Sequence, residues 1–386
     1  MRIAIDGQLI NREKTGMGVY TFNILKYWKE TSCDIVNIYI PGSASDEIKR
    51  ISVEKGFIIR EIRETNYFLW EQIVLPWIVA RDKMDVLWCP YCTAPIFSPC
   101  PFSVVVHDTI YMETKINNAP TLYKRMGILY RKLVVPRVIK RATTIATVSL
   151  YSKKQIGKHF PNVRDKVQVI PNGIDHLKSL DNEAKEMFFR DLEISGKYIL
   201  GFGSLEKRKN TLCTIKAYEM LNESIKKEHK LVLFGFRGFD KSIEKKYIES
   251  HNLCGRIIIL GYVSDSEKKC LYENCSLFVF PSLSEGFGIP VLEAFDSGTP
   301  VITSNTTALP EIAGKGAIFV DPLNPQSVSE QIERVINHPE LAFDLINSAK
   351  SQIEKYDWKT SSERIKMLLY SSSSSEKDVS KDEIYS

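Results

Sequence analysis

The sequence predicts an α/β protein made of two doubly wound parallel sheets, one in each half of the chain. Three observations point there. Short apolar runs of strand length alternate with helical stretches from end to end. The alternation breaks once, at Pro171-Asn-Gly-Ile-Asp175 and the polar stretch that runs to about Glu193, and then begins again. At 386 residues the chain exceeds one ordinary core, so two domains are the default.

In the first half Arg2–Asp6 reads as a buried strand, followed by a glycine-rich loop and a helix near Val19–Lys29. Further strands are expected at Asp34–Ile40, Asp85–Cys89, Phe102–His107, Thr144–Ser149 and Val167–Ile170, with helices at Thr121–Lys140 and Ser152–His159. The second series places strands at Tyr198–Gly203, Lys230–Phe234, Ile257–Leu260, Leu277–Phe280, Val301–Ser304 and Ala317–Val320. Helices fall between them, at Thr211–Leu221, Lys241–His251 and Glu267–Glu273 among others. Two closing helices are expected over 325–355 and one more from Asp357-Trp358 to about Tyr370. The expected division is a first domain over 1–175, a linker over 176–193, a second domain over 194–357, the last helix over 358–370 and a tail over 371–386. The Ser371–Ser375 run and the charged residues after it lack core side chains, so that tail is expected to be disordered.

With 44% hydrophobic and 26% charged residues the composition is that of a soluble globular protein, and no apolar run reaches membrane-spanning length. The chain opens on a strand, Met-Arg-Ile-Ala-Ile-Asp, and not on a signal peptide. Eight cysteines over this length make no disulfide framework. Cys89-Pro-Tyr-Cys92 has redox or metal spacing without a second pair, and reads as a structural turn. A cytoplasmic location is therefore expected. Charge is uneven: residues 1–170 carry 25 Lys and Arg against 15 Asp and Glu, a net of +10, and residues 171–386 carry 27 against 32, a net of −5. The basic half suits an anionic partner. Lys124, Arg125, Arg131, Lys132, Arg137, Lys140 and Arg141 surround Ile128, Leu129, Leu133, Val134 and Val138. Thr121–Arg141 thus suits either an anionic bilayer or the wet face of a domain helix. No reading motif accompanies these cations, which disfavours nucleic acid.

The most informative stretch is Ser284-Glu-Gly-Phe-Gly-Ile-Pro-Val-Leu-Glu293, continuing to Pro300. Glu285 and Glu293 lie eight positions apart, with a glycine-rich turn between them that runs into a helix. Gly286 and Gly288 let backbone approach a ligand, and Pro290 suits the first helical position. The N–H groups of Phe287, Gly288 and Ile289 would hold phosphate oxygens at the helix start. Glu293, one turn in, would accept from the vicinal hydroxyls of a ribose, as the acid of a dinucleotide fold does. Glu285 is left to face a sugar. For Glu293 alone a charged helix cap is the plainer reading. Together with the buried-strand pattern Ser276-Leu-Phe-Val-Phe-Pro281 ahead of them, the two acids suit a sugar carried on a nucleoside diphosphate. Gly203-Ser-Leu-Glu-Lys-Arg-Lys-Asn210 sets a basic cluster after a strand and before a helix. Positive charge is unfavourable at that end of the helix dipole, which favours a ligand for Arg208 and Lys209 over a solvated cluster.

The run resembles the donor-site signature of glycosyltransferase family 4, the retaining GT-B enzymes: Glu-x7-Glu with Phe-Gly-Ile-Pro inside and Ala-x-x-x-Gly-Thr-Pro-Val after it. The resemblance covers nearly the whole chain. It implies two Rossmann-like domains facing across a cleft, with the last helix packed back on the first. It implies that Lys209 is the phosphate lysine. Many relatives carry an arginine nearer the strand end, where this chain has Ser204, so either Arg208 supplies the second charge or nothing does. His107-Asp108, after the apolar Val104-Val-Val, matches the family's pair with the histidine beside the transferred sugar, although a lone histidine after a strand is more often a satisfied core residue. Gly16 and Gly18 of Thr15-Gly-Met-Gly-Val-Tyr20 match the family's loop over the leaving phosphate; as evidence for NAD they lack the third glycine. Trp70-Glu71-Gln72 and Pro90-Tyr91 are similar to the mannosyltransferase-like branch and would line the acceptor side. Glu311 after Leu309-Pro310 reads as a helix cap.

The activity implied is transfer of a hexose from a nucleoside diphosphate to a hydroxyl, with Glu285, His107 and Lys209 as catalytic residues. Arg208, Lys209, Gly16, Gly18, Phe287, Gly288, Ile289 and Glu293 would hold the donor. No metal and no cofactor are expected, and the chain has no Asp-x-Asp triplet or histidine-rich ligand set. Departure of the diphosphate from an oxocarbenium-like carbon would be stabilised by fixed cations and aimed N–H dipoles, and domain closure would exclude water. GDP-mannose is the favoured donor, with UDP- and dTDP-sugars open. The acceptor expected is a lipid-linked or other oligosaccharide of a bacterial surface polysaccharide. A peripheral position on the inner face of the cytoplasmic membrane would suit that acceptor. Two other readings remain: a sugar-nucleotide 2-epimerase of the same fold, and a noncatalytic sugar-nucleotide sensor.

Overall fold

The structure, a computed structural model, describes residues 1–11, 16–29, 33–113 and 122–382. Thr15, Thr121 and the last four residues of the expected tail lie outside the described residues. The chain divides into two compact units, residues 1–173 with 357–386, and residues 174–356.

The first unit is built on seven strands: β1 Arg2–Asp6, β2 Ile35–Pro41, β3 Ile58–Ile62, β4 Val86–Cys89, β5 Phe102–Val105, β6 Thr144–Thr147 and β7 Val167–Val169. Their order is β3-β2-β1-β4-β5-β6-β7, and every pair is parallel. β1, β4 and β5 are buried almost throughout, as strands covered by helices on both faces must be. That double burial is why they read as unbroken apolar runs. β3 escaped the sequence reading for the opposite reason. As the edge strand, Ile-Ile-Arg-Glu-Ile, it is partly exposed and mixes charge with apolar residues.

The second unit repeats the plan with β8 Lys197–Phe202, β9 His229–Phe234, β10 Ile257–Ile259, β11 Leu277–Phe280, β12 Val301–Ser304 and β13 Ala317–Val320. The order is β10-β9-β8-β11-β12-β13, again all parallel. Counted from its own first strand, the second sheet runs 3-2-1-4-5-6, the dinucleotide-binding order, and the first sheet runs the same with a seventh strand added at the end. In such sheets ligands bind beyond the carboxyl ends of the strands where the order reverses. That point lies between β1 and β4 in the first unit and between β8 and β11 in the second.

Three expectations are corrected. Gly16 and Gly18 do not sit in a loop: helix Gly16–Lys26 begins at the first of them, and Gly18 is buried in its opening turn. The stretch over 176–193 is not merely a polar linker, because it holds helix Asn182–Asp191, capped by the Asp181 carboxylate accepting from the Ala184 N–H. The tail does not separate at Tyr370. The last helix is continuous over Trp358–Asp382, and Ser372 is buried. The Ser372 hydroxyl bonds Ser103 Oγ on β5 at 2.9 Å and Thr144 Oγ1 on β6 at 2.7 Å. A serine run looks coreless in sequence, yet its small side chains let a helix lie close on strand ends that carry hydroxyls of their own.

The last helix completes the first unit. Trp358, Ile365, Leu368 and Leu369 are buried, Ser361 Oγ donates to Pro171 O at 2.7 Å, and Ser362 Oγ donates to Ile24 O at 2.7 Å. Lys366 Nζ pairs with Asp34 Oδ2 at 3.2 Å. Gly173 is the point of closest approach: a Cβ there would stand 2.2 Å from the Trp358 backbone nitrogen. Gly173→Ala is accordingly expected to destabilise the protein by about 3 kcal/mol through overpacking against backbone that cannot move aside. Thermal unfolding of the two proteins measures it, and an unchanged melting temperature rejects the packing account.

Candidate active site

At the reversal point of the second sheet the chain brings two loops together. The first leaves β8 through Gly203 to Asn210, with a 3-10 turn over Lys207–Lys209. Asn210 takes a left-handed φ of 59°, and its side-chain amide donates to Pro281 O at 2.9 Å and Pro322 O at 2.7 Å. The second loop leaves β11 through Pro281 to Gly288. Leu283 N–H donates to Arg208 O at 2.7 Å, and Ser282 Oγ lies 2.8 Å from the same carbonyl. The basic residues are thus fixed to the acidic loop by backbone as well as by charge.

Glu285 is the centre of this arrangement. Its side chain is 9% exposed and already engaged within the protein, which the sequence reading of an acid facing a sugar did not include. Oε1 accepts from Lys209 Nζ at 2.7 Å and from Ser282 Oγ at 2.7 Å, and Oε2 accepts from the Arg208 guanidinium at 2.8 Å. A buried carboxylate beside two cations has no cheaper state than to bind them. Lys209 Nζ lies 5.3 and 5.2 Å from the Phe202 and Phe280 rings, so β8 and β11 each end on an aromatic face under the ammonium. Burial pushes the Lys209 ammonium below its ordinary range, against the pull of Glu285. Thr307 holds a φ of 60°, costly for a β-branched residue. Its hydroxyl accepts from the Glu285 N–H at 3.2 Å.

Helix Ile289–Asp296 starts directly after this loop. Pro290 is its second residue, one place later than the sequence suggested, and no side chain caps it. Among its opening residues Pro290 has no N–H and Val291 N–H donates to Gly288 O at 3.0 Å, while Ile289 N–H, at the first position, has no partner within the helix. Gly288 before it has a φ of 130°, and a Cβ would meet Leu309 Cδ2 at 2.8 Å. Only glycine fits there. Glu293, one turn on, is engaged as well: Oε1 accepts from Lys268 Nζ at 2.6 Å and Oε2 from Tyr272 OH at 3.4 Å.

Glu285, Lys209, Arg208, Phe287, Gly288, Ile289 and Glu293 therefore lie on two neighbouring loops and one helix of the second unit. His107, Gly16 and Gly18 belong to the first unit. Two family models match the chain, Glycosyltransferase Family 4 over residues 14–177 and Glycosyl transferases group 1 over residues 184–352. The chain is a family 4 glycosyltransferase. It is similar to O-antigen chain mannosyltransferase B of Escherichia coli, 27% identical over 65% of this chain and 66% of that protein. It is also similar to the serotype-specific mannosyltransferase WbdA of Escherichia coli, 31% identical over 49% of this chain and 23% of that protein. The match thus spans less than two thirds of either relative's length. Among solved structures it superposes on HepE of Anabaena in complex with UDP and glucose with a TM-score of 0.72 and 17% identity, over 96% of this chain and 100% of that one. The lipopolysaccharide glycosyltransferase WaaG gives 0.66 and 16%, over 96% and 99%. At such identities the likeness establishes the GT-B fold alone.

In this family 4 transferase the first unit's reversal point is acidic where the second's is basic. Asp6, at the end of β1, accepts from Trp70 Nε1 at 2.9 Å and from the Gln8 N–H at 3.1 Å, while its buried Oδ2 has no partner among the described residues. Glu71 is fully buried and accepts from the Thr93 and Tyr130 hydroxyls and, at 2.9 Å, from the Gln72 amide. Trp70–Val74 forms a π-helical turn, a distortion that often marks functional segments. His107 follows β5. Its Nε2–H donates to Pro90 O at 2.9 Å, which leaves Nδ1 as the unprotonated nitrogen, and the Tyr20 ring packs edge-on at 4.9 Å. Burial lowers its pKa.

Ser282, Thr307, Lys268, Tyr272 and Asp6 were not singled out in the sequence. Lys268 and Tyr272, four apart on one helix face, carried a faint signal that only the position of Glu293 makes meaningful. Burial raises Glu71 to about 7 and Asp6 to about 6. A carboxyl whose pKa is higher folded than unfolded stabilises the protein while protonated. That contribution is complete below the unfolded value near 4.5 and disappears as pH rises through about 7. Wild type is thus expected to lose about 2 kcal/mol relative to Glu71→Gln between pH 5 and pH 8. Denaturant unfolding at the two pH values checks this, and a pH-independent difference rejects it.

Proposed function

We propose that this family 4 protein is a retaining, metal-independent hexosyltransferase. It takes a hexose, mannose from GDP-mannose in the first instance, and joins it to a hydroxyl of a lipid-linked or oligosaccharide acceptor during bacterial surface polysaccharide synthesis. The observation that carries this reading is the convergence of Lys209, Arg208 and an uncapped helix start beyond the ends of β8 and β11. Two fixed cations beside open N–H groups suit a diphosphate that gains charge as it leaves. The choice of mannose rests on the similarity to O-antigen mannosyltransferases.

In the proposed reaction the bond from the anomeric carbon to the diphosphate oxygen breaks as Lys209, Arg208 and the Phe287–Ile289 amides stabilise the departing charge. The acceptor oxygen bonds the same face of that carbon, and its proton passes to the leaving phosphate. Both carboxylates are already engaged by cations, so neither is an available nucleophile for a double displacement. Glu285 retains capacity for one sugar hydroxyl; in the first unit His107 Nδ1 has the acceptor capacity for a sugar hydroxyl of its own.

The acceptor's location bears on the first unit. No described helix is long and apolar enough to cross a membrane. Helix Leu122–Arg141 nevertheless exposes Leu122, Met126, Leu129 and Leu133, and the neighbouring helical segment exposes Phe68, Leu69, Ile73 and Trp77. The two meet where the Phe68 and Tyr130 rings lie 6.0 Å apart. Arg125, Arg137 and Lys140 are exposed on the same helix. Apolar side chains rimmed by cations suit the surface of an anionic bilayer, where each cation contributes about 1 kcal/mol.

Turnover of GDP-mannose, UDP-sugars and dTDP-sugars with and without an acceptor tests the central reading, with EDTA present throughout. Net retention at the new linkage is expected. Glu285→Gln should abolish transfer without weakening GDP binding, and Lys209→Ala should weaken GDP binding about tenfold or more. Release of nucleotide at the wild-type rate without acceptor, or inversion in the product, overturns the proposal. Replacing Arg125, Arg137 and Lys140 by Gln should reduce co-sedimentation with phosphatidylglycerol vesicles but leave phosphatidylcholine vesicles unaffected; equal binding removes the membrane assignment.

A further inference from the structure

Glu293 and Glu285 differ in how much hydrogen-bonding capacity the protein leaves them. A carboxylate offers about four lone-pair sites. At Glu285 two donors occupy Oε1 and one occupies Oε2. At Glu293 each oxygen receives a single donor, Lys268 Nζ at 2.6 Å on Oε1 and Tyr272 OH at 3.4 Å on Oε2. One acceptor site per oxygen remains, which matches the two hydroxyls of a vicinal diol.

Both donors come from one face of helix Asp265–Asn274, one turn apart. That helix is fixed at its start by a capping box: Ser264 accepts from the Glu267 N–H at 3.3 Å, and Glu267 accepts from the Ser264 N–H at 2.6 Å. Lys268 is mostly buried and also pairs with Asp265 at 3.4 Å. Burial alone would lower its pKa, but Glu293 and Asp265 outweigh burial and hold the ammonium above its ordinary range. Tyr272 is held by its ring, edge-on to Phe234 at 5.7 Å and to Phe278 at 5.0 Å. Neither donor has freedom to follow a wandering carboxylate.

We infer that Lys268, assisted by Tyr272, is a positioning residue that holds the Glu293 carboxylate oriented so that its two open acceptor sites receive the 2′ and 3′ hydroxyls of the donor ribose. This rests on the nucleoside-diphosphate reading above. Lys268 acts on donor affinity and on the discrimination of ribose from deoxyribose, and does not touch the reacting carbon.

The experiment is calorimetric binding of GDP, 2′-deoxy-GDP, UDP and 2′-deoxy-UDP to wild type, Lys268→Met, Tyr272→Phe, Glu293→Gln and the double variant Lys268→Met with Glu293→Gln. Wild type is expected to favour the ribose form of its nucleotide by about tenfold, the value of one hydrogen bond to a charged group. Lys268→Met should remove most of that preference, Tyr272→Phe part of it, and the double variant should match Glu293→Gln, since the two residues act through one contact. In turnover, Lys268→Met should raise the donor KM and leave kcat near wild type. The double variant contains no buried unpaired carboxylate at this point, so it separates lost positioning from failure to fold. A ribose preference in folded Lys268→Met equal to wild type overturns the inference while leaving the proposed function intact. If wild type binds neither nucleotide, the proposed function falls and this inference with it.

Discussion

The ion cluster at Glu285 is the constraint on which the second unit depends. Glu285 and Lys209 are largely removed from water, and Arg208, a third exposed, also pairs with Glu206 at 2.8 Å; the buried pair tolerates little displacement, because an unpaired buried charge costs several kcal/mol. The surrounding details follow from holding three groups in register. Asn210 adopts a left-handed conformation to tie its loop to two carbonyls. Thr307 accepts a strained backbone while its hydroxyl takes the Glu285 N–H, and Ser282 turns its hydroxyl onto the same carboxylate oxygen as Lys209. Each is unfavourable or neutral alone and becomes favourable around a preassembled charge centre.

The two sheets share a strand order but furnish their reversal points with opposite chemistry. The second gathers cations beside a helix start. The first gathers Asp6 and Glu71, both fully buried, with hydroxyl and amide donors in place of cations. The raised values at Asp6 and Glu71 follow from burial without a countercharge. One fold therefore provides a place where negative charge is welcomed and a place where it is resisted. The plan sets where a site lies, and the side chains at the strand ends set what it does.

The sequence made the architecture legible wherever strands are buried on both faces, since such strands are continuous apolar runs. It failed at β3, an edge with charge on its exposed face, and at Ser372, where small size is what permits burial. It registered Gly16 and Gly18 as a loop because glycine pairs usually mark turns, whereas the structure opens a helix on them. At the site the Glu-x7-Glu spacing and the basic cluster were visible, but their mutual engagement was not. Glu285 is 76 residues from Lys209 and Glu293 is 25 from Lys268, and nothing local in either stretch announces its partner. Long-range pairing of charges is a property of the fold, and sequence periodicity carries no record of it.

That engagement bears on mechanism more than the presence of the acids does. A carboxylate that attacks an anomeric carbon must first shed what holds it, and Glu285, itself mostly buried, would have to release two cations and a hydroxyl. The same cations would then be withdrawn from the phosphate as charge builds there. A double displacement at Glu285 thus sets its two requirements against each other. In the proposed same-face transfer, with the phosphate as proton acceptor, the two would not compete, because Lys209 and Arg208 would hold the acid and the leaving group together and strengthen their hold as the bond breaks. The cluster is better matched to a reaction in which the enzyme contributes fixed charge and no covalent partner.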